Sequence, residues 1–337
     1  MNNKIHRNIW FFGLLISLMF AGDEARIGTG AGMQLLVPVG ARGIAMSGAD
    51  IAYSSGLESI YWNPAGLGSL EGSSGLVSNM TMFNDISVNY FATGATFGKV
   101  GQFALSIKSI DMGNIGVTTV EDMDGNSGAV FSPTLATIGL TYGKTLQDRV
   151  NVGVTMKTIY ESIPRALAQA YAFDIGVQYS NLANISGLGL ALVLKNIGTN
   201  MHYSGSALTD QATGGNDLTD FYNREASSDP IPSTYSMCLS YRSPMGVTLG
   251  GTFISHNFSY DEVSVGGEYV FSNMLYLRGG LLTGLVDEVS KDDVLYSMSF
   301  GAGIKYKLMG MNLTLDYTYR AQELFDGNQL FSLGVQY

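Results

Sequence analysis

The chain has 337 residues, of which 46% are hydrophobic and only 14% charged, and its formal net charge is −10. That acidic balance argues against a nucleic-acid partner, which requires a basic surface. No apolar run of about 18 residues or more follows the first 20 positions, so a bundle of membrane-spanning helices is ruled out as well.

What remains is an apolar-leaning chain with a mean hydropathy of only +0.15. It carries 43 Gly and 19 Tyr, and its apolar residues are diluted one for one by small or polar ones, the composition of a transmembrane β-barrel. A single cysteine, Cys238, leaves no internal disulfide, and histidine occurs only at His6, His202 and His256. Nothing in the sequence calls for a cofactor or a metal.

The N-terminus has the design of a secretory signal. Lys4, His6 and Arg7 precede an apolar core from Ile9 to Phe20 that is too short to anchor, and Asp23-Glu24 ends it. Cleavage falls near Ala21 or Ala25, and the absence of cysteine there excludes lipoprotein processing. We therefore assign residues 1–22 to the signal peptide, 23–72 to an N-terminal segment and 73–337 to the barrel.

Residues 26–72 do not alternate. Gly28-Thr29-Gly30-Ala31-Gly32 follows no strand, so it is not read as a phosphate loop. Ala41, Ile44, Ala45, Gly48, Ala49 and Ala52 recur at helical spacing and predict a short, closely packed helix. Ser55-Gly56-Leu57-Glu58 has the form of a capping box opening a second helical turn. Tyr61-Trp62-Asn63-Pro64-Ala65-Gly66-Leu67 then imposes a bend, since proline fixes its own φ and keeps the preceding residue extended.

From Ser73 onward the sequence divides into segments of about 9–12 residues with period-two alternation, the length of a tilted membrane strand. Met311, Leu313, Leu315, Tyr317 and Tyr319 oppose Asn312, Thr314, Asp316, Thr318 and Arg320. Tyr171, Phe173, Ile175, Val177 and Tyr179 oppose Ala172, Asp174, Gly176, Gln178 and Ser180, and residues 235–242 and 296–306 repeat the pattern. Aromatics at both ends of an apolar face match girdles at two membrane interfaces.

The strands are predicted near 73–82, 86–97, 101–110, 133–142, 149–161, 168–180, 185–197, 232–242, 246–255, 261–271, 274–283, 295–307, 310–320 and 328–337. Fourteen is an even number, as single-chain bacterial barrels require. The long links, 111–132, 198–231 and 284–294, all join odd to even strands, and every even-to-odd link is short. The alternation places Asp174, Lys195, Arg242, Glu268, Lys305, Asp316, Arg320 and Cys238 on the lumen face. Phe331, Leu333, Val335 and the terminal Tyr337 share the lipid face of the last strand, which resembles the assembly signal of outer-membrane barrels.

Chemistry is sparse. Glu121-Asp122-Met123-Asp124-Gly125-Asn126 lacks the spaced ligands of a calcium loop and is read as a solvated turn. Ser255, His256 and Asn257 are consecutive, so strand neighbours would point to opposite faces, and no catalytic residue or enzyme is assigned. His202 and His256 are expected in loops.

Gly40-Ala41-Arg42-Gly43-Ile44-Ala45-Met46-Ser47-Gly48-Ala49, followed by Tyr61-Trp62-Asn63-Pro64-Ala65-Gly66-Leu67, resembles the opening of PorV/PorQ-type proteins, relatives of the FadL long-chain fatty-acid transporters. That family usually carries acidic residues between the two halves, where this chain has Tyr53-Ser54-Ser55-Gly56 flanked by Asp50 and Glu58. The resemblance implies a fourteen-stranded outer-membrane barrel with its N-terminal region folded into the lumen as a hatch, the N-terminus periplasmic and the long loops extracellular. A filler makes physical sense, because eight strands fill their own interior whereas sixteen leave an aqueous channel.

Two functions follow from the resemblance. One is a type IX secretion component that binds secreted cargo proteins or machinery subunits; the other is a FadL-like passive carrier of hydrophobic small molecules. The mixed polar loop around Asp210, Asp220, Phe221, Tyr222, Arg224 and Glu225 leans toward protein contact. Membrane lipid is a partner in either case.

Overall fold

The computed structural model describes residues 26–83, 86–213, 219–285, 298–322 and 325–337. The signal segment 1–22, Tyr296 and Ser297 lie outside the described residues.

Fourteen antiparallel strands close into a barrel: β1 (Ser73–Thr81), β2 (Ser87–Thr96), β3 (Gln102–Asp111), β4 (Thr134–Leu146), β5 (Val150–Ile163), β6 (Ala166–Ser180), β7 (Leu188–Gly198), β8 (Thr234–Arg242), β9 (Val247–His256), β10 (Glu262–Phe271), β11 (Leu275–Gly284), β12 (Met298–Leu308), β13 (Met311–Arg320) and β14 (Asn328–Gln336). The seam is β1 on β14, from Ser74 opposite Gln336 to Thr81 opposite Gln329. Closure removes every sheet edge, the condition for placing strands in lipid. Each strand matches its predicted segment to within a few residues.

The even-to-odd links are tight because their sequences supply left-handed residues. Ser272 and Asn273 (φ 52° and 54°) turn β10 into β11, and Met309 and Gly310 (φ 50° and 89°) turn β12 into β13. Two consecutive positive φ values are what a two-residue hairpin needs. Residues 112–133 and 199–233 form the long links at the opposite end. Within the second, Tyr203 and Ser204 pair with Ala168 and Leu167 and extend β6, so His202 sits on a short strand rather than in irregular loop.

The outward face is apolar. Phe103, Leu105 and Ile107 on β3, and Tyr171, Phe173 and Ile175 on β6, are exposed and alternate with buried positions. Tyr160, Tyr171 and Tyr319 lie toward the long-loop end and Tyr241, Tyr269 and Tyr306 toward the short-turn end. These are the two aromatic girdles.

The inner face is not uniformly polar, as simple alternation predicts. On β14, β1, β2 and β3 it carries Leu330, Leu76, Met80, Val88, Tyr90, Ala104 and Ile110, which pack on Val39, Ile44, Leu57, Ile60, Leu67 and Leu70 of the N-terminal segment. An apolar inner wall is stable there because it meets apolar side chains instead of water.

Candidate functional site in the barrel lumen

The N-terminal segment meets the inner wall on several sides. Its elements are short: a 3-10 turn Met33–Leu36, α1 (Ala41–Ala45), α2 (Ser59–Trp62) and a second 3-10 turn Pro64–Ser69. The predicted small-residue helix stops after five residues because Ser47 and Gly48 take φ of 51° and 74°. Ala41, Ala45, Ala49 and Ala52 are nonetheless all buried.

The predicted capping box does not form. Gly56 adopts φ 69°, Ser55 caps nothing, and the Glu58 carboxylate instead accepts the Gly43 amide at 3.1 Å. Glu58 is drawn to an unpaired amide of α1 rather than to its own turn. Burial pushes its carboxyl up to about 7; neighbouring Asp316 adds to this, and Arg42 and Arg278 oppose it.

Two rows of glycine in the wall receive the segment. Gly143, Gly153 and Gly176 are direct cross-strand neighbours on β4, β5 and β6. A Cβ on Gly153 would lie 2.2 Å from the Pro64 carbonyl, and one on Gly176 would lie 2.0 Å from Asn63 Oδ1. Gly250, Gly266 and Gly280 form the second row on β9, β10 and β11, where Cβ atoms would meet Ala49 O at 1.9 Å and the Met46 backbone at 2.6 and 2.4 Å.

Asn63 is fully buried; its Nδ2 donates to Ile51 O (3.2 Å) and its Oδ1 accepts Ala65 N–H (3.0 Å), while Pro64 starts the 3-10 turn. Other wall groups reach the segment's backbone. Thr318 Oγ1 donates to Ala41 O (2.6 Å), Thr252 Oγ1 to Gly48 O (2.9 Å), Gln178 Nε2 to Ser54 O (2.9 Å) and Lys108 Nζ to Gln34 O (2.7 Å). Trp62 Nε1 donates to Val39 O at 3.0 Å.

A chain of charges ties α1 to three strands. Arg42 pairs with Asp50 and with Glu268 (3.1 Å), Glu268 with Arg278 (2.7 Å), and Arg278 with Asp316 (2.5 Å). Of the predicted lumen residues, this network joins Glu268 and Asp316. Arg278, which links them, and Arg42, its partner from the segment, were not assigned that role from the sequence.

Asp174 belongs to a separate group. It pairs with Lys157 at 2.5 Å, and its Oδ1 accepts the Asn196 amide at 2.7 Å. Asn196 takes φ 59°, and the β6–β7 register slips between Phe173 and Ile175 at this point. The wall is therefore bulged beside Lys195, with buried polar groups in place of a regular ladder.

Two cavities flank the segment. At the short-turn end a space of about 570 Å³ is lined by Arg242, Lys305, Glu268, Arg278, Asp316 and Tyr276. The Arg242 guanidinium lies 4.3 Å from the Tyr53 ring centre. At the long-loop end a space of about 110 Å³ is lined by apolar Leu36, Pro38, Ile44, Ile51 and Trp62 and by polar Lys195, Thr234, His256, Glu262 and Arg320.

His256 ends β9 rather than lying in a loop, and its Nε2 faces Glu262 at 3.1 Å. Cys238 is buried at the inner wall beside Ala49 O (3.4 Å). Asp122 closes a turn by accepting the Asn126 and Ser127 amides. Phe331, Leu333 and Tyr337 are exposed on the outer face, and Val335 pairs with Gly75 and Leu313.

The direction of the described part of the segment follows from its contacts at either end. The Ala31 amide donates to Pro230 O (3.0 Å) and the Arg26 guanidinium lies 4.2 Å over the Phe258 ring, both at the long-loop end. β1 starts at the other end, where Ser73 N–H bonds Tyr337 O. The start of the described chain and the long loops therefore share one end, and the segment reaches β1 at the other.

No protein-family model and no curated protein matches the chain. Among solved structures, a Pseudomonas aeruginosa FadL homologue aligns over 89% of this chain and 98% of its own, with TM-score 0.53 and 13% identity. The Pseudomonas putida toluene transporter TodX covers 88% and 96%, with TM-score 0.53 and 11% identity. The Ralstonia pickettii toluene transporter TbuX covers 88% and 97%, with TM-score 0.54 and 10% identity. The chain has the fold of these FadL-like barrels. The short motifs that resemble PorV/PorQ proteins gain no matching relative.

Proposed function

We propose that the chain is a passive outer-membrane carrier for hydrophobic small molecules, with residues 26–72 acting as its plug and the long loops facing the medium. The observation that carries this is the small cavity at the long-loop end, whose lining includes apolar Leu36, Pro38, Ile44, Ile51 and Trp62 while the far cavity is lined by charge. An apolar lining with a few convergent polar groups is the usual form of a small-molecule site. The transporter barrels that share the fold support the same reading, and they support a non-enzyme over an outer-membrane hydrolase.

The β6–β7 bulge lies next to Lys195 and so borders this cavity. We place the exit there, from lumen to membrane, where the β6–β7 ladder is interrupted. The secretion-component reading, with cargo proteins or type IX subunits as partners, rests on the segments around Arg42 and Asn63 and on the mixed polar loop around Asp210 and Arg224.

The test is flux. Outer-membrane vesicles carrying the full chain should take up a radiolabelled hydrophobe such as toluene faster than vesicles without it. Equal rates would sink the carrier proposal, and co-purification of a secreted protein in fixed ratio would move the assignment to secretion.

A further inference from the structure

The inner face of β7, β8 and β9 carries three polar side chains in a single row lining the small cavity. Lys195 is the direct cross-strand partner of Thr234, and Thr234 that of His256. Such neighbours hold their Cβ atoms within roughly 5 Å of each other. All three line the cavity together with its apolar residues.

Their hydrogen-bonding capacity is largely unspent. Thr234 is only 6% exposed, yet its Oγ1 makes no hydrogen bond among the described residues, and neither does His256 Nδ1. Lys195 Nζ reaches the Tyr61 carbonyl only at 3.5 Å, rests 4.3 Å from the Tyr61 ring centre, and has no carboxylate within 4.0 Å among the described residues. Buried polar groups are normally satisfied, so unsatisfied ones lining a cavity point to a ligand group. The row offers an ammonium and a hydroxyl side by side, and the one carboxylate among the cavity's lining residues, Glu262, is engaged by His256 Nε2 at 3.1 Å. Its complement is an acceptor carrying negative charge.

The volume limits the rest of the ligand. At about 110 Å³ the space is slightly smaller than the engineered apolar cavity of about 150 Å³ that takes up benzene. It suits one ring or its aliphatic equivalent at the polar row.

We propose that Lys195, Thr234 and His256 form a head-group subsite that selects a compact hydrophobe bearing one carboxylate, an aromatic monocarboxylate. This deepens the carrier assignment and rests on it for the route.

Equilibrium dialysis of the purified full chain in detergent against labelled benzoate, toluene and palmitate tests the idea, with Lys195→Met, Lys195→Arg and Thr234→Val compared with the parent. Benzoate should bind most tightly. K195M should weaken it by about tenfold or more, the scale of a charge-assisted hydrogen bond, T234V by less, and K195R should retain most of it. Toluene binding should stay within about twofold in all variants, which also shows that they fold. Unchanged benzoate affinity in K195M, a parallel loss of toluene, or equal and variant-insensitive binding of toluene or palmitate would overturn the subsite. Absence of binding by all three probes would overturn it too. The vesicle flux of toluene decides the carrier assignment separately.

Discussion

Gly176 and Asn63 lie so close that a side chain on the first would occupy the place of the second: the added Cβ would sit 2.0 Å from Asn63 Oδ1. Because Asn63 Nδ2 also donates to Ile51 O and Val177 O, the turn cannot retreat without losing buried hydrogen bonds. Gly176→Ala should therefore cost about 1–3 kcal/mol, the usual penalty of overpacking. Gly75→Ala, where a Cβ meets nothing within 4 Å, serves as the control. Urea unfolding in lipid vesicles reads the difference, and an equal effect of both would show that the segment adjusts freely.

Arg278 holds two carboxylates at once, Glu268 at 2.7 Å and Asp316 at 2.5 Å. Arg278→Met should strip Asp316 of its partner, leave Glu268 with Arg42 alone, and cost about 3–5 kcal/mol, as when one partner of a buried ion pair is removed. Adding Glu268→Gln and Asp316→Asn should recover a large part of that. Failure of the triple variant to recover stability would mean that Arg278 acts through packing and not through charge.

Glu58 gives a pH signature. Its carboxyl, raised from the ordinary 4.5 to about 7, binds a proton in the folded chain that the unfolded chain has already released. The contribution is therefore favourable below pH 4.5, declines as pH rises toward 7 and is level above it. Glu58→Gln should flatten this part of the stability profile, seen as a smaller difference between unfolding midpoints at pH 5 and pH 8. An unchanged difference would assign the dependence to other groups.

Adjacent residues on β13 should respond oppositely to the same substitution. Leu315 is 54% exposed on the outer face, whereas Thr314 lines the short-turn cavity. Leu315→Arg should destabilise the inserted barrel by about 2–4 kcal/mol near the midplane, and Thr314→Arg by much less. Heat-modified migration on gels after folding into vesicles separates the two.

The strands were legible because period-two alternation is a local property, and Met311–Arg320 displays it without reference to any partner. The row of Lys195, Thr234 and His256 was not. Its register depends on how the 35 residues between Gly198 and Thr234 close, and no local pattern encodes that offset. Lys195 could be placed on the inner face, but Thr234 beside it could not. Ser55-Gly56-Leu57-Glu58 fails for a related reason. A capping box is scored within its own turn, whereas Glu58 finds a better partner in the Gly43 amide, fifteen positions away in sequence. Arg278 was within reach, since it occupies an inward position between Leu277 and Gly279 on a strand whose bounds were read correctly.

Because Arg26 rests beside Phe258 while Tyr337 closes the opposite rim, the two termini of the described chain lie toward opposite ends of the barrel. An epitope fused ahead of Arg26 and another placed after Tyr337 would be displayed to different compartments. Antibody added to intact cells should label one of them and reach the other only after the envelope is opened, which turns the path of a single segment into a compass for the whole barrel.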